Sequence, residues 1–86
     1  LREELNGRHP VSFPSMQDEF NENAKIYVFI KVNSAGKVIS ASVSKSTTTN
    51  SSLKNIAIQK AKLLKFPESQ NDIEEGTVLF NFVIKN

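Results

Sequence analysis

Two stretches of this chain alternate apolar residues at period two, and a single helical pattern lies between them. They are Lys25–Val32 (KIYVFIKV) and Thr77–Ile84 (TVLFNFVI). Successive side chains of a strand point to opposite faces. Ile26, Val28, Ile30 and Val32 therefore share one face of the first strand, and Lys25, Tyr27, Phe29 and Lys31 the other. Val78, Phe80, Phe82 and Ile84 line one face of the last strand, with Leu79 and Val83 opposite. Asn33-Ser34-Ala35-Gly36 reads as a turn in which Gly36 supplies a positive φ. Lys37–Ser44 returns as the second strand of a hairpin, with Ile39, Ala41 and Val43 alternating against Val38, Ser40 and Ser42.

A polar loop, Lys45–Ser52, follows, and its Asn50, Ser51 and Ser52 all suit a helix N-cap. The spacing of Leu53, Ala57, Ala61 and Leu64 predicts a helix over about Leu53–Lys65 with a buried stripe. Lys60 falls at the edge of that stripe, so either its stem lies along apolar surface while the ammonium reaches water, or the helix is rotated from this reading. Pro67 stops the helix, and Phe66 just before it is placed to anchor the helix end in the core. Glu68–Gly76 reads as an acidic loop.

Together these elements predict an α+β fold of β-β-α-β order. A short crossover from the second strand through the helix is right-handed, which sets the third strand parallel to the second. The first strand then lies between them, antiparallel to both. The expected sheet order is second–first–third, with one main helix on one face and the third strand at an edge.

Upstream, Leu1–Gly7 reads as a helical remnant and Arg8–Ser15 as extended, because each residue before a proline disfavours helix. Ser15–Phe20 suggests a short helix ended by Asn21–Asn23. The 86 residues form one domain, with residues 1–15 as its lead-in. A domain of this size buries roughly 60% of its unfolded surface, so its core is shallow. The chain opens at Leu1 and reads as a trimmed segment of a longer protein.

Catalytic equipment is missing from the pattern. His9 is the only histidine and there is no cysteine, so a zinc site would need a carboxylate cluster and no disulfide framework exists. Asp72, Glu74 and Glu75 read as solvated loop acids, and Gly7, Gly36 and Gly76 are too scattered to cradle a phosphate. No catalytic residue, cofactor or metal is expected. From Ala24 to Pro67 there is no Asp or Glu, while Lys25, Lys31, Lys37, Lys45, Lys54, Lys60, Lys62 and Lys65 all fall there. That block is either a basic face or a solvated surface balanced by the acidic flanks. Nucleic acid is not expected as a partner, since the net charge is only +2 and the aromatic-rich signature with flanking Gly and Arg is absent. Tyr27 and Phe29, on the face away from Ile26–Val32, need a cover. Either the N-terminal segment with Val11 and Phe13 folds over them, or they form a self-association surface.

The order of motifs resembles the C-terminal domain of the TonB family of energy transducers. Phe13-Pro14 matches the aromatic-Pro pair that opens the family pattern, and Ile26, Val28, Ile30 and Val32 its first strand. Gly36-Lys37-Val38 matches the Gly turn, Leu53 and Ala57 the helix, Phe66-Pro67 the aromatic-Pro stop, and Val78, Phe80 and Phe82 the last strand. The chain departs from the pattern at Asn23-Ala24, where a Gly is usual, at Leu64, where an aromatic is usual, and at Lys60, where a small residue is usual. The resemblance implies a TonB/TolA C-terminal type of fold and a non-enzymatic, periplasmic peptide-binding domain. Such a domain engages an extended segment of an outer-membrane transporter by strand addition. Its inner-membrane anchor would lie in parts outside this chain. The implied partner-binding residues are the third strand's free edge, Thr77, Val78, Leu79, Phe80, Asn81, Phe82, Val83 and Ile84, flanked by Phe13 and Pro14. The alternative is a structural or dimerisation module of another cell-envelope protein, with Tyr27 and Phe29 as its homodimer surface.

Overall fold

The computed structural model describes residues 2–4 and 22–84. It contains strand β1 (Arg2–Glu4), strand β2 (Ala24–Asn33), strand β3 (Val38–Ser46), helix α1 (Ser51–Lys62) and strand β4 (Ile73–Phe82). The expected β-β-α-β unit is present, with β2 central and antiparallel to both β3 and β4. A fourth strand, β1, adds to the outer side of β4, giving the sheet order β1-β4-β2-β3. Arg2–Glu4 is thus strand, not the helical remnant that Leu1–Gly7 suggests. His9, Val11, Phe13, Pro14 and the short helix expected at Ser15–Phe20 lie outside the described residues.

The core is the layer between the sheet and α1. Ile26, Val28, Ile30 and Val32 from β2 and Val78, Phe80 and Phe82 from β4 are buried there with Leu53, Ala57, Ala61, Leu64 and Phe66. Burying a large aliphatic or aromatic side chain stabilises by roughly 1.5–3 kcal/mol, so this stripe-on-sheet contact dominates the favourable side of folding. The helix packs against β3 and β2. Asn50 caps it, its Oδ1 accepting from the backbone N–H groups of Ser52 (2.9 Å) and Leu53 (3.3 Å). The helix ends at Lys62, three residues before the limit expected from its pattern, and Leu64–Phe66 continues as extended chain.

That extended exit is tied to the hairpin turn. The Phe66 N–H donates to the Gly36 carbonyl at 2.9 Å, the Ser69 N–H donates to the Ser34 carbonyl at 2.9 Å, and Lys37 and Lys65 form an antiparallel bridge. Asn33 shapes the turn from inside, its Oδ1 accepting from Ala35 (3.1 Å) and Lys37 (2.9 Å). Gly36 has φ +87°, and a Cβ there would sit 1.9 Å from the Phe66 carbonyl oxygen. Glycine is required twice over, by conformation and by space.

Two expectations about faces are corrected. In β3, the pairing with β2 skips Ser44 and Ile39, so two bulges interrupt the alternation. Val38 is buried with the core, Ala41 and Val43 pack against it, and Ile39 is 50% exposed. A bulge adds one residue and so reverses the parity that Ile39, Ala41 and Val43 seemed to share. In β4, pairing with β2 begins at Ile73, so Ile73–Gly76 is strand rather than the end of an acidic loop. Glu74 opposes Val32 on the core side and is 6% exposed, while Glu75 opposes Lys31 on the open side and is exposed.

Candidate strand-binding edge

β4 is held to β2 over its whole length, from Ile73↔Asn33 to Phe82↔Ala24, with no break in register. Its inward side chains, Val78, Phe80 and Phe82, fix its height over the core. A strand's backbone groups point alternately to its two neighbours, so an unbroken ladder on one side leaves a regular row on the other. The candidate site is that row.

The row is not wholly free, which corrects the expectation for Thr77–Ile84. β1 pairs antiparallel with its middle part in the register Arg2↔Leu79, Glu3↔Val78 and Glu4↔Thr77. Phe80, Asn81 and Phe82 continue the strand past that pairing, and among the described residues no strand lies along their outer side. Val83 and Ile84 lie beyond the strand. The Ile84 N–H donates to Asn23 Oδ1 at 2.7 Å, which ties the chain back toward the start of β2. Ile84 is 39% exposed and does not join the core stripe. The candidate edge is therefore Thr77–Phe82. Nothing in Arg2-Glu3-Glu4 signals a strand in sequence, because it offers neither alternation nor β-branched or aromatic residues.

At the same end, Asn23, Ala24, Lys25, Thr47, Asn81, Phe82 and Val83 line a shallow cleft of about 460 Å³. The Ser/Thr loop builds one wall. Thr47 Oγ1 accepts from the Lys25 N–H at 2.9 Å, and the Thr47 N–H donates to the Lys25 carbonyl at 3.0 Å. The Thr48 hydroxyl donates to the Glu22 carboxylate.

The sheet face away from α1 carries Lys25, Tyr27, Phe29 and Lys31, as their alternation requires. Tyr27 and Phe29 are half-buried there, with Leu79 and Thr77 opposite them on β4 and Lys45 and Ser42 on β3. The Lys45 ammonium lies 5.9 Å from the centre of the Tyr27 ring, within reach of a cation–π contact. The lysines form no single basic face. Lys25, Lys31 and Lys45 lie on the open side of the sheet, Lys54, Lys60 and Lys62 on the helix, and Lys37 and Lys65 at the hairpin turn.

Among the described residues no group of three or more His, Cys, Asp and Glu could hold a metal ion, and no helix is long and apolar enough to cross a membrane. Comparison with known proteins returned no matching family model, no matching curated protein and no matching solved structure.

Proposed function

We propose that this domain binds an extended peptide by adding it as a strand along β4. We further propose that it does so as the periplasmic domain of a TonB-like energy transducer. Its partner would be a segment of an outer-membrane transporter, and its inner-membrane anchor would lie elsewhere in the full-length protein. The motif order from Gly36 to Phe82 supports the family reading.

The observation that carries the strand-addition reading is the β1–β4 pairing. Three charged residues, Arg2-Glu3-Glu4, dock antiparallel on Thr77–Leu79 although none is of the β-branched or aromatic types enriched in strands. An edge that accepts such a segment through its backbone is suited to others, since main-chain hydrogen bonds read conformation before sequence. A ladder loaded along its length strains several hydrogen bonds together, which suits a junction that transmits pulling force.

A second reading, a dimerisation module of another envelope protein, draws on the half-buried Tyr27 and Phe29 beside Leu79. The test that separates the two is capture of synthetic periplasmic plug segments of outer-membrane transporters on the immobilised chain. Each segment is compared with a copy carrying a central proline, which removes a ladder donor. Binding of a segment but not of its proline copy supports strand addition. Equal binding of both, or of neither, overturns it.

A further inference from the structure

β1 lies on the same backbone groups that an added peptide would use. We propose that Arg2–Glu4 is a built-in competitor for the β4 edge, covering it in the free domain and leaving when a better strand arrives. This inference rests on the strand-addition reading of β4.

Position is the first ground. The pairing of Arg2, Glu3 and Glu4 with Leu79, Val78 and Thr77 covers the first half of the candidate edge, so a peptide spanning Thr77–Phe82 cannot dock while β1 is in place. Composition is the second. β1 has three residues, against roughly five or six for an ordinary strand. Its Arg-Glu-Glu sequence brings no β-branched or aromatic residue that would favour the sheet. Connectivity is the third. β1 belongs to the same chain as β4, so it competes as a tethered ligand, whose effective concentration can exceed that of a free peptide. A weak strand held in the same chain gives an edge that is closed by default and opened by a longer or more β-prone segment. Covering the edge also blocks pairing between copies of the domain, the usual hazard of a regular edge strand. An occupied site lowers apparent affinity in proportion to the fraction of molecules that are open.

The test compares three chains. They are the full chain, a chain lacking residues 1–4, and the full-length double variant Glu3→Pro/Glu4→Pro. Adjacent residues point their N–H groups to opposite sides, so two successive prolines remove whichever donor faces β4. The probe is a synthetic peptide of alternating Thr and Val with terminal lysines, titrated by calorimetry. Amide hydrogen exchange at Thr77, Val78 and Leu79 is the second readout.

The proposal expects both altered chains to bind the probe roughly 3–30-fold more tightly than the full chain. It also expects faster exchange at whichever of the three β4 amides face β1, with the β2–β3 ladder unchanged. Equal affinity in all three chains would show that β1 does not compete; it overturns this proposal and leaves strand addition standing. Faster exchange with no probe binding in any chain overturns the strand-addition reading, and this proposal with it. If neither altered chain folds, β1 is an integral strand and the proposal is wrong.

Discussion

The two sides of this sheet treat the same problem differently. β3 forms one flank and is broken twice, at Ile39 and at Ser44, by bulges in its pairing with β2. Its exposed residues are small and polar or charged, Ser40, Ser42, Ser44 and Lys45, apart from Ile39. Bulges twist a strand and disturb its row of donors and acceptors, a common way to keep an edge from pairing with another chain. β4 is ten residues long, unbroken in register and buried along its inward face. Its outer row is regular, and among the described residues the strand that pairs with it is the three-residue β1. The contrast teaches where to look for binding. On the proposed reading, an irregular edge is closed by its own geometry, whereas a regular edge with a short cover can exchange strands.

The anchoring of the two sides differs as well. The β3 side is fastened where the helix exit is hydrogen-bonded to the hairpin turn. Phe66 is the centre of that fastening, 3% exposed and hydrogen-bonded through its backbone to Gly36. Phe66→Ala should destabilise the domain by about 3–5 kcal/mol, most of the stability of a chain this small. A thermal midpoint lowered by only a degree or two would show that the helix exit is not anchored as described.

Gly36→Ala comes next in size. The new Cβ would meet the Phe66 carbonyl oxygen in a backbone conformation that L-residues rarely adopt. A cost of about 1–3 kcal/mol is expected from the conformation alone, with the clash adding to it. Hydrogen exchange should accelerate first at the turn and at Phe66, before it does so in the β2–β4 ladder. Uniform acceleration over both ladders would remove the distinction between the two sides.

How much of this was legible in the sequence follows the same division. The inward residues of β2 and, apart from Ile84, of β4, the Leu53–Ala57–Ala61–Leu64 stripe, the Gly36 turn and buried Phe66 all follow from periodicity and local chemistry, and each is where the pattern places it. The phase of β3 was hidden because a bulge leaves no mark in composition; Ile39-Ser40-Ala41-Ser42-Val43 alternates cleanly as written. The start of β4 was hidden because Glu74 and Glu75 read as loop, and only the ladder with Val32 and Lys31 makes them strand. β1 was hidden for a different reason. Its partner lies at the far end of the chain, and its residues carry no strand preference of their own. The edge was therefore legible as a location, while its occupant was not.

Asn50→Ala tests the β3 side more gently. Losing a cap that serves Ser52 and Leu53 should cost about 1 kcal/mol, read as a modest shift in denaturant midpoint with unchanged slope. On the β4 side, Asn23→Ala removes the 2.7 Å acceptor of the Ile84 N–H. About 0.5–1 kcal/mol is expected for one net hydrogen bond. The effect should be confined to faster exchange at Ile84, with the hairpin turn untouched.

The central claim is that β4, not β3, receives an added strand. Amide chemical-shift mapping of the isotope-labelled chain, titrated with a transporter plug segment that binds, tests it directly. The account predicts perturbations centred on Thr77–Phe82, spreading to the β2 residues paired with them, while Val38–Ser46 stays silent. Perturbations centred on Val38–Ser46, on the hairpin turn or on α1, with Thr77–Phe82 silent, would contradict it.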